Sequence, residues 1–132
     1  MNTVLIVATD LGFALWLGQA LDQAGYNALP AVSATGAMAV VAHLGVKVDL
    51  VVIEATMTDA DCLLSFLRRD RPRLTVIALL DESKDGRIAI PKADLAEYKP
   101  AYINDDARRD WLSTVHTVFE AKSVRYPPAT LQ

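Results

Sequence analysis

The sequence predicts an α/β fold, a doubly wound parallel sheet, and three observations carry that expectation. Val4–Val7, Leu50–Ile53 and Leu74–Leu80 are apolar runs rich in β-branched residues, as expected of strands covered on both faces. Segments with helical apolar spacing and polar cap residues lie between them. Strand, helix, strand in repeated order folds through right-handed crossovers into a parallel sheet with helices on both faces.

Each element has its own signals. After Val4–Val7, Asp10 or Thr9 can cap a helix that carries Phe13, Leu17, Ala20, Leu21 and Ala24, and Gly25 stops it. Ala28–Val32 is a short strand interrupted by Pro30, which suits a sheet edge. Ser33 or Thr35 caps a second helix with Met38, Val41 and Ala42 on one face, ended by Gly45. Leu50–Glu54 is the third strand. Thr58 or Asp59 caps a third helix with Leu63, Leu64, Phe66 and Leu67, which ends before Pro72. Leu74–Leu80 is the fourth strand. In the last helix, Asn104 or Asp105 is the cap, Trp111, Leu112, Val115, Val118 and Phe119 form the apolar face, and the end falls near Lys122. The division expected is one domain over residues 1–123 and a mobile tail over 124–132, because Tyr126-Pro127-Pro128 opposes helix.

Composition narrows the function classes. The chain has 132 residues and is 52% apolar, enough for a sizeable core and against disorder. Its apolar runs are too short to span a membrane. No basic side chain precedes Val4, which argues against a secretory signal. One cysteine, Cys62, allows no internal disulfide; both points favour the cytoplasm. The formal net charge is −3, from 13 basic and 16 acidic residues, with no electrostatic footprint for nucleic acid. Nothing suggests a membrane surface. No P-loop, dinucleotide glycine motif or nucleophile elbow is present, so an enzyme is not expected.

The most informative residue is Glu54. It ends the run Asp49-Leu50-Val51-Val52-Ile53, a carboxylate at the carboxyl end of a central strand, where open α/β sheets keep their chemistry. With Met57 following at its expected place, Thr58 where Pro is usual, and Lys99-Pro100 further on, the pattern resembles the response-regulator receiver family, the CheY-like phosphoacceptor domains of two-component signalling. The resemblance covers roughly residues 3–122. It implies a five-stranded sheet of order 2-1-3-4-5, the flavodoxin-like arrangement. It also places the fifth strand within Ala93–Tyr98, ahead of Lys99-Pro100, with Ala93-Asp94 echoing the family's Ala-Asp. A rival fifth strand, Arg87–Ile90, leaves too short a crossover. The segment between Leu80 and Lys99 is shorter than usual and contains Gly86 and Pro91, so an irregular or shortened fourth helix is expected there.

Residue by residue, the resemblance implies a degenerate site. Receivers place two adjacent acids after the first strand to hold Mg²⁺; the matching residues are Ala8 and Thr9, with Asp10 one place further as a possible substitute. The phosphoacceptor position is Glu54 instead of aspartate. Leu80 stands where the switch Ser or Thr is usual, and Ala96 at the aromatic switch position, with Tyr98 a strand period away. Lys99 alone matches outright and is expected to pair with Glu54. A hard divalent ion needs several oxygen ligands, so Mg²⁺ binding is expected to be weak or absent, with no other cofactor. Glutamate displaces its carboxylate by about one bond, a misplacement that can cost about 10²-fold in rate.

Other polar groups have plainer readings. His43 and His116 lie on separate helices without a Cys/His cluster, and are expected at the surface. Cys62 is expected as a small buried hydrophobe. Trp16 and Trp111 belong to core or interface. Arg68, Arg69, Arg71 and Arg73 form a solvated helix end. The function expected is a pseudo-receiver: a phosphorylation-independent module that binds a protein partner, a histidine kinase or another signalling protein, with a homodimer also plausible. Many receivers meet partners through the fourth helix, fifth strand and fifth helix. One alternative is a phosphorylatable receiver with a relocated acceptor, Asp59 or Asp61, whose plainer role is to complement the helix dipole. Another is a small-cofactor flavodoxin-like domain, for which Thr9 alone is poor support.

Overall fold

A computed structural model describes residues 2–81 and 93–125. Strands β1 (Thr3–Val7), β2 (Asn27–Ala31), β3 (Leu50–Glu54), β4 (Thr75–Leu80) and β5 (Leu95–Tyr98) form one parallel sheet in the order β2-β1-β3-β4-β5. Helices α1 (Leu11–Gln23), α2 (Ala34–Leu44), α3 (Ala60–Arg68) and α4 (Asp105–Arg125) complete the described elements. The doubly wound fold and strand order expected from the sequence are those observed. The irregular helix and the rival strand expected between Leu80 and Lys99 lie outside the described residues, as does most of the expected tail. Helix α4 runs two residues past the boundary placed at residue 123.

The two faces of the sheet separate by strand periodicity. On β1, Leu5 and Val7 join Val51, Ile53 and Val76 in a cluster that packs under α2 and α3 through Val41, Leu63, Leu64 and Leu67. Val4 and Ile6 point the other way, with Leu50, Val52 and Ile77, against Phe13, Leu17 and Leu21 of α1 and Trp111, Val115 and Val118 of α4. This is why β1 and β3 read as continuous apolar runs: both faces are covered. Phe13 is the hinge of the second cluster. Its ring lies 5.8 Å from Trp111, edge-on, and 5.9 Å from Trp16, and Tyr26 stacks on Phe119 at 5.5 Å. Trp111 is therefore a core residue, and Trp16 packs partly buried against the same cluster.

Caps decide the helix ends. Asp10 Oδ1 accepts the Phe13 amide at 3.1 Å and Ser33 Oγ the Gly36 amide at 3.0 Å. Asn104 Oδ1 accepts the Ala107 amide at 2.8 Å. Thus Asp10, Ser33 and Asn104 fill the caps, and their rivals Thr9, Thr35 and Asp105 do not. Asp59 occupies the N-cap position of α3 with φ of 63°, and its side chain makes no capping bond. Aspartate tolerates this left-handed conformation better than most residues. Gly45 ends α2 at φ 64°, the left-handed cap that glycine adopts without a Cβ penalty.

Two acids stitch strand starts. Asp49 accepts the Thr3 amide at 2.8 Å and pairs with Arg71 at 3.1 Å, so one member of the arginine run ties the end of α3 to the sheet. Asp94 accepts the Val76 amide at 2.8 Å while its own amide donates to the Val76 carbonyl. That double link fixes β5, whose own residues are mostly exposed, onto β4.

Candidate functional site

The carboxyl ends of β1, β3, β4 and β5 converge at one edge of the sheet. Val7 is in register with Ile53, Glu54 with Leu79, and Leu80 with Tyr98. The ladder continues past the strands. The Ala8 amide donates to Ala31, Ala55 to Leu79 and Lys99 to Leu80, at 3.0, 2.9 and 2.7 Å. Backbone pairing alone therefore brings Thr9, Asp10, Glu54, Asp81 and Lys99 to the same end, the position at which ligands bind in open α/β sheets.

Their side chains divide into two groups. Glu54, partly buried, accepts the Thr9 backbone N–H on Oε1 and the Thr9 hydroxyl on Oε2, the latter at 3.2 Å. Lys99 Nζ lies 3.1 Å from Asp10 Oδ2 and 3.3 Å from Asp81 Oδ2. The expected ion pair between Glu54 and Lys99 is not formed. The reason is geometric: Asp10, held by its capping bond, presents its second oxygen to the lysine, and Asp81 leaves β4 beside it. Thr9 supplies Glu54 with two donors, so the carboxylate has partners without a cation.

Asp81 and the donor role of Thr9 were not singled out in the sequence. The signal for Asp81 was available, since it follows β4 as Glu54 closes β3, an acid at a strand's carboxyl end. The other receiver positions fall as follows. Ala8 is fully buried and its methyl side chain offers no ligand atom. Leu80 is buried against Ala55 and Ala78, apolar where a hydroxyl is usual. Ala96 is exposed opposite Ala78, and Tyr98 is exposed opposite Leu80. Asp59 and Asp61 are exposed at the start of α3. His116 pairs with Glu120 on α4, far along the chain from His43 on α2. Cys62 is exposed rather than buried, because it falls between the apolar stripe positions of α3. Among the described residues no group of three or more His, Cys, Asp and Glu side chains is placed to hold a metal.

The ion pairs leave a titration signature. The Phe13 amide, then the Lys99 ammonium, hold the Asp10 carboxyl below its ordinary value of 3.8, against a smaller opposing effect of burial. Lys99 is correspondingly raised, first by its bond to Asp10 and further by Asp81, with partial burial opposing. A depressed carboxyl stabilises the fold above its unfolded pKa, and the contribution is lost as pH falls through the folded value. Asp10→Asn keeps a good cap but loses the charge. Wild type should exceed it in stability by up to about 1 kcal/mol near neutral pH, a modest figure because the pair is open to solvent. Urea denaturation across pH should show that difference shrinking to nothing in acid; a constant difference would contradict the assignment.

No protein-family model and no curated protein matches the sequence. Solved structures do match the fold. One is the CheY-like response regulator receiver domain protein of Methanospirillum hungatei JF-1: 20% identity, TM-score 0.70, covering 96% of this chain and 99% of that one. The fold is that of a response-regulator receiver domain. The Clostridium thermocellum receiver domain is similar at 16% identity and TM-score 0.67, over 96% of this chain and 100% of that chain. So is the structure of a receiver-modulated diguanylate cyclase from Pelobacter carbinolicus, at 20% identity and TM-score 0.68, over 95% and 97% of the two chains. Among the described residues no helix is long and apolar enough to cross a membrane.

Proposed function

We propose that this chain is a receiver-type signalling module of two-component systems that binds a protein partner without being phosphorylated. One observation carries the reading. Both oxygens of the carboxylate at the acceptor position are engaged by Thr9, a residue standing where receivers place a metal acid. Phosphoryl transfer gains most of its catalysis from positioning and charge neutralisation. Here the acceptor is a glutamate turned onto a neutral donor, and the nearby cation is spent on Asp10 and Asp81.

The donor set does not fit Mg²⁺. Ala8 has no side-chain oxygen, Glu54 and Thr9 are committed to each other, and Asp10 and Asp81 both face Lys99, Asp10 also serving as the helix cap. A hard cation would have to displace each of these contacts to collect its ligands. We therefore propose that Mg²⁺ binds weakly or not at all, and that the module is no enzyme. The partner proposed is a histidine kinase or another signalling protein, with homodimerisation as a further mode. The compartment proposed is the cytoplasm, which suits an exposed, unpaired Cys62.

The test is incubation with acetyl phosphate and Mg²⁺ followed by intact mass measurement. No stoichiometric phosphoryl adduct is expected. An adduct overturns the reading, and its loss in Asp59→Ala or Asp61→Ala would assign phosphotransfer to a relocated acceptor. The flavodoxin-like alternative is disfavoured by the same geometry, because the Thr9 hydroxyl a phosphate loop would use already faces Glu54.

A further inference from the structure

Helix α2 is unlike the other described helices. Its residues Ala34–Leu44 include no Asp, Glu, Lys or Arg, whereas α1, α3 and α4 each carry charged side chains. A helix that is apolar all round belongs in a buried setting, yet α2 buries only Ala34, Ala37 and Val41 against the sheet. Ala39, Ala42 and His43 on its outer side are exposed. Leu44 is 51% exposed, and Val32, just before the helix, 47%. Contiguous apolar exposure marks interaction sites, where single exposed residues do not.

The shape of this face points to its occupant. An open depression of about 600 Å³ lies along it, walled by Ala39, Val40, His43 and Leu44. Leu44, the exposed large apolar side chain of α2, therefore stands at the rim of a recess bordered by Ala39 and Val40. Projection and recess side by side on one patch are what an isologous two-fold contact requires, because each copy must supply both. Charge favours the same occupant. The chain has a net charge of −3, so two copies repel on average and meet most readily on a face without formal charge. A partner segment bearing charges would find none on α2 to pair with. Strand addition is blocked at the edge strand beside it. Asn27 donates to Asn2 and Ala31 accepts from Ala8, both toward β1, which turns the Ala28 and Pro30 positions outward. The Ala28 amide donates to Asp22 at 3.1 Å, and Pro30 has no N–H. A second copy at this end of the sheet must therefore dock by helix packing.

We propose that the outer face of α2 is a homodimer surface. Two copies pack α2 antiparallel about a two-fold axis at the level of residues 41 and 42. Leu44 of each copy then enters the depression beside Ala39 of the other, and His43 faces Val40. The antiparallel arrangement also sets the positive end of each helix dipole beside the negative end of its neighbour. The proposal rests on the homodimerisation included in the reading above and assigns it a face. At a rise of about 1.5 Å per residue α2 presents on the order of 300 Å² per copy, well below the roughly 800 Å² of a standard interface. The dimer is therefore weak and reversible, with a Kd on the order of 100 µM.

The experiment is sedimentation equilibrium of the full chain from about 5 µM to about 1 mM, with amide NMR spectra over the same dilution. The mass should rise from monomer toward dimer, and the shifts should cluster at residues 32–47. Ala39→Glu and Leu44→Lys, both at exposed positions, should each weaken self-association about tenfold by setting a charge into an apolar contact. Mixed in equal amounts they should associate about tenfold more tightly than either alone, because residue 39 of one copy faces residue 44 of the other. A chain monomeric throughout that range, shifts confined to other surfaces, dimerisation unchanged in both variants, or a mixture no tighter than its components overturns the proposal. These results are independent of the phosphoryl-adduct test: a monomer leaves the phosphorylation-independent reading standing, and an adduct removes that reading whatever the mass shows.

Discussion

Phe13→Ala is expected to remove about 3–5 kcal/mol of folding stability, a large share of the roughly 5–15 kcal/mol typical of a domain. Phe13 is only 2% exposed and sits where α1, α4 and the sheet meet. Three losses combine: the transfer free energy of the ring, the cavity left between rigid strands and two helices, and the edge contact with Trp111. The β1 and β3 side chains beneath cannot collapse into the gap, because their backbones are locked in the ladder. At this chain length each kcal/mol moves the melting temperature by roughly 3–5 °C, so a fall of about 10–20 °C is expected. Urea denaturation followed by tryptophan fluorescence measures it directly, as Trp16 and Trp111 both flank the ring. A double-mutant cycle with Trp111→Ala should return a coupling of about 0.5–1.5 kcal/mol. A loss below about 1.5 kcal/mol with no coupling would mean that α4 does not close this face of the core as described.

The same cluster shows how much the sequence could say. The strands β1, β3 and β4 were legible because residues covered on both faces leave an uninterrupted apolar run, and β3 was legible to its last residue, Glu54. Helix α1 was legible because its cap and its apolar stripe are both local features. Strand β5 was not legible from composition. Leu95-Ala96-Glu97-Tyr98 has little strand character of its own, and its pairing is imposed by β4 and by the double link of Asp94 to Val76. The site was legible in most of its membership, Asp81 excepted, and misread in its pairing. Glu54 and Lys99 do arrive at one end of the sheet, as the family resemblance implied. Which acid meets the lysine depends on where the capping carboxylate of α1 points and on how β4 exits, and neither is written in residue spacing. Cys62 is a different case: with about 3.6 residues per turn it lies on the face of α3 opposite Ala60, Leu63, Leu64 and Leu67, so helical periodicity exposes it and the residue type alone misleads.

Placing acids at the strand ends is expected to create a response to Mg²⁺ that the wild-type chain is not expected to show. In the variant Ala8→Asp, Thr9→Asp, Glu54→Asp, the two donors that hold the Glu54 carboxylate are reduced to a backbone N–H, and three carboxylates face one another at the sheet edge. Like charges at such separations raise one another's pKa and oppose folding until a cation or a proton intervenes. Position 8 is fully buried, so its new carboxylate carries a desolvation cost of several kcal/mol unless it is paired. The variant should therefore be markedly less stable than wild type without divalent cation and should recover with Mg²⁺. At a cation concentration of about 100 times Kd the recovery amounts to about 2.7 kcal/mol, while the wild-type melting temperature stays flat over the same titration. With the cation bound and the acceptor shortened to aspartate, acetyl phosphate should now give a phosphoryl adduct in the intact mass. Glu54→Asp alone should not, because Thr9 and Ala8 still supply no metal acid. If burial at position 8 prevents folding, the double variant Thr9→Asp, Glu54→Asp keeps Ala8 and should show a smaller Mg²⁺-dependent rise. A wild-type chain that already responds to Mg²⁺, or a Glu54→Asp variant that is phosphorylated unaided, would show that the carboxylate held by Thr9 is a working acceptor and that its neighbours do not silence it.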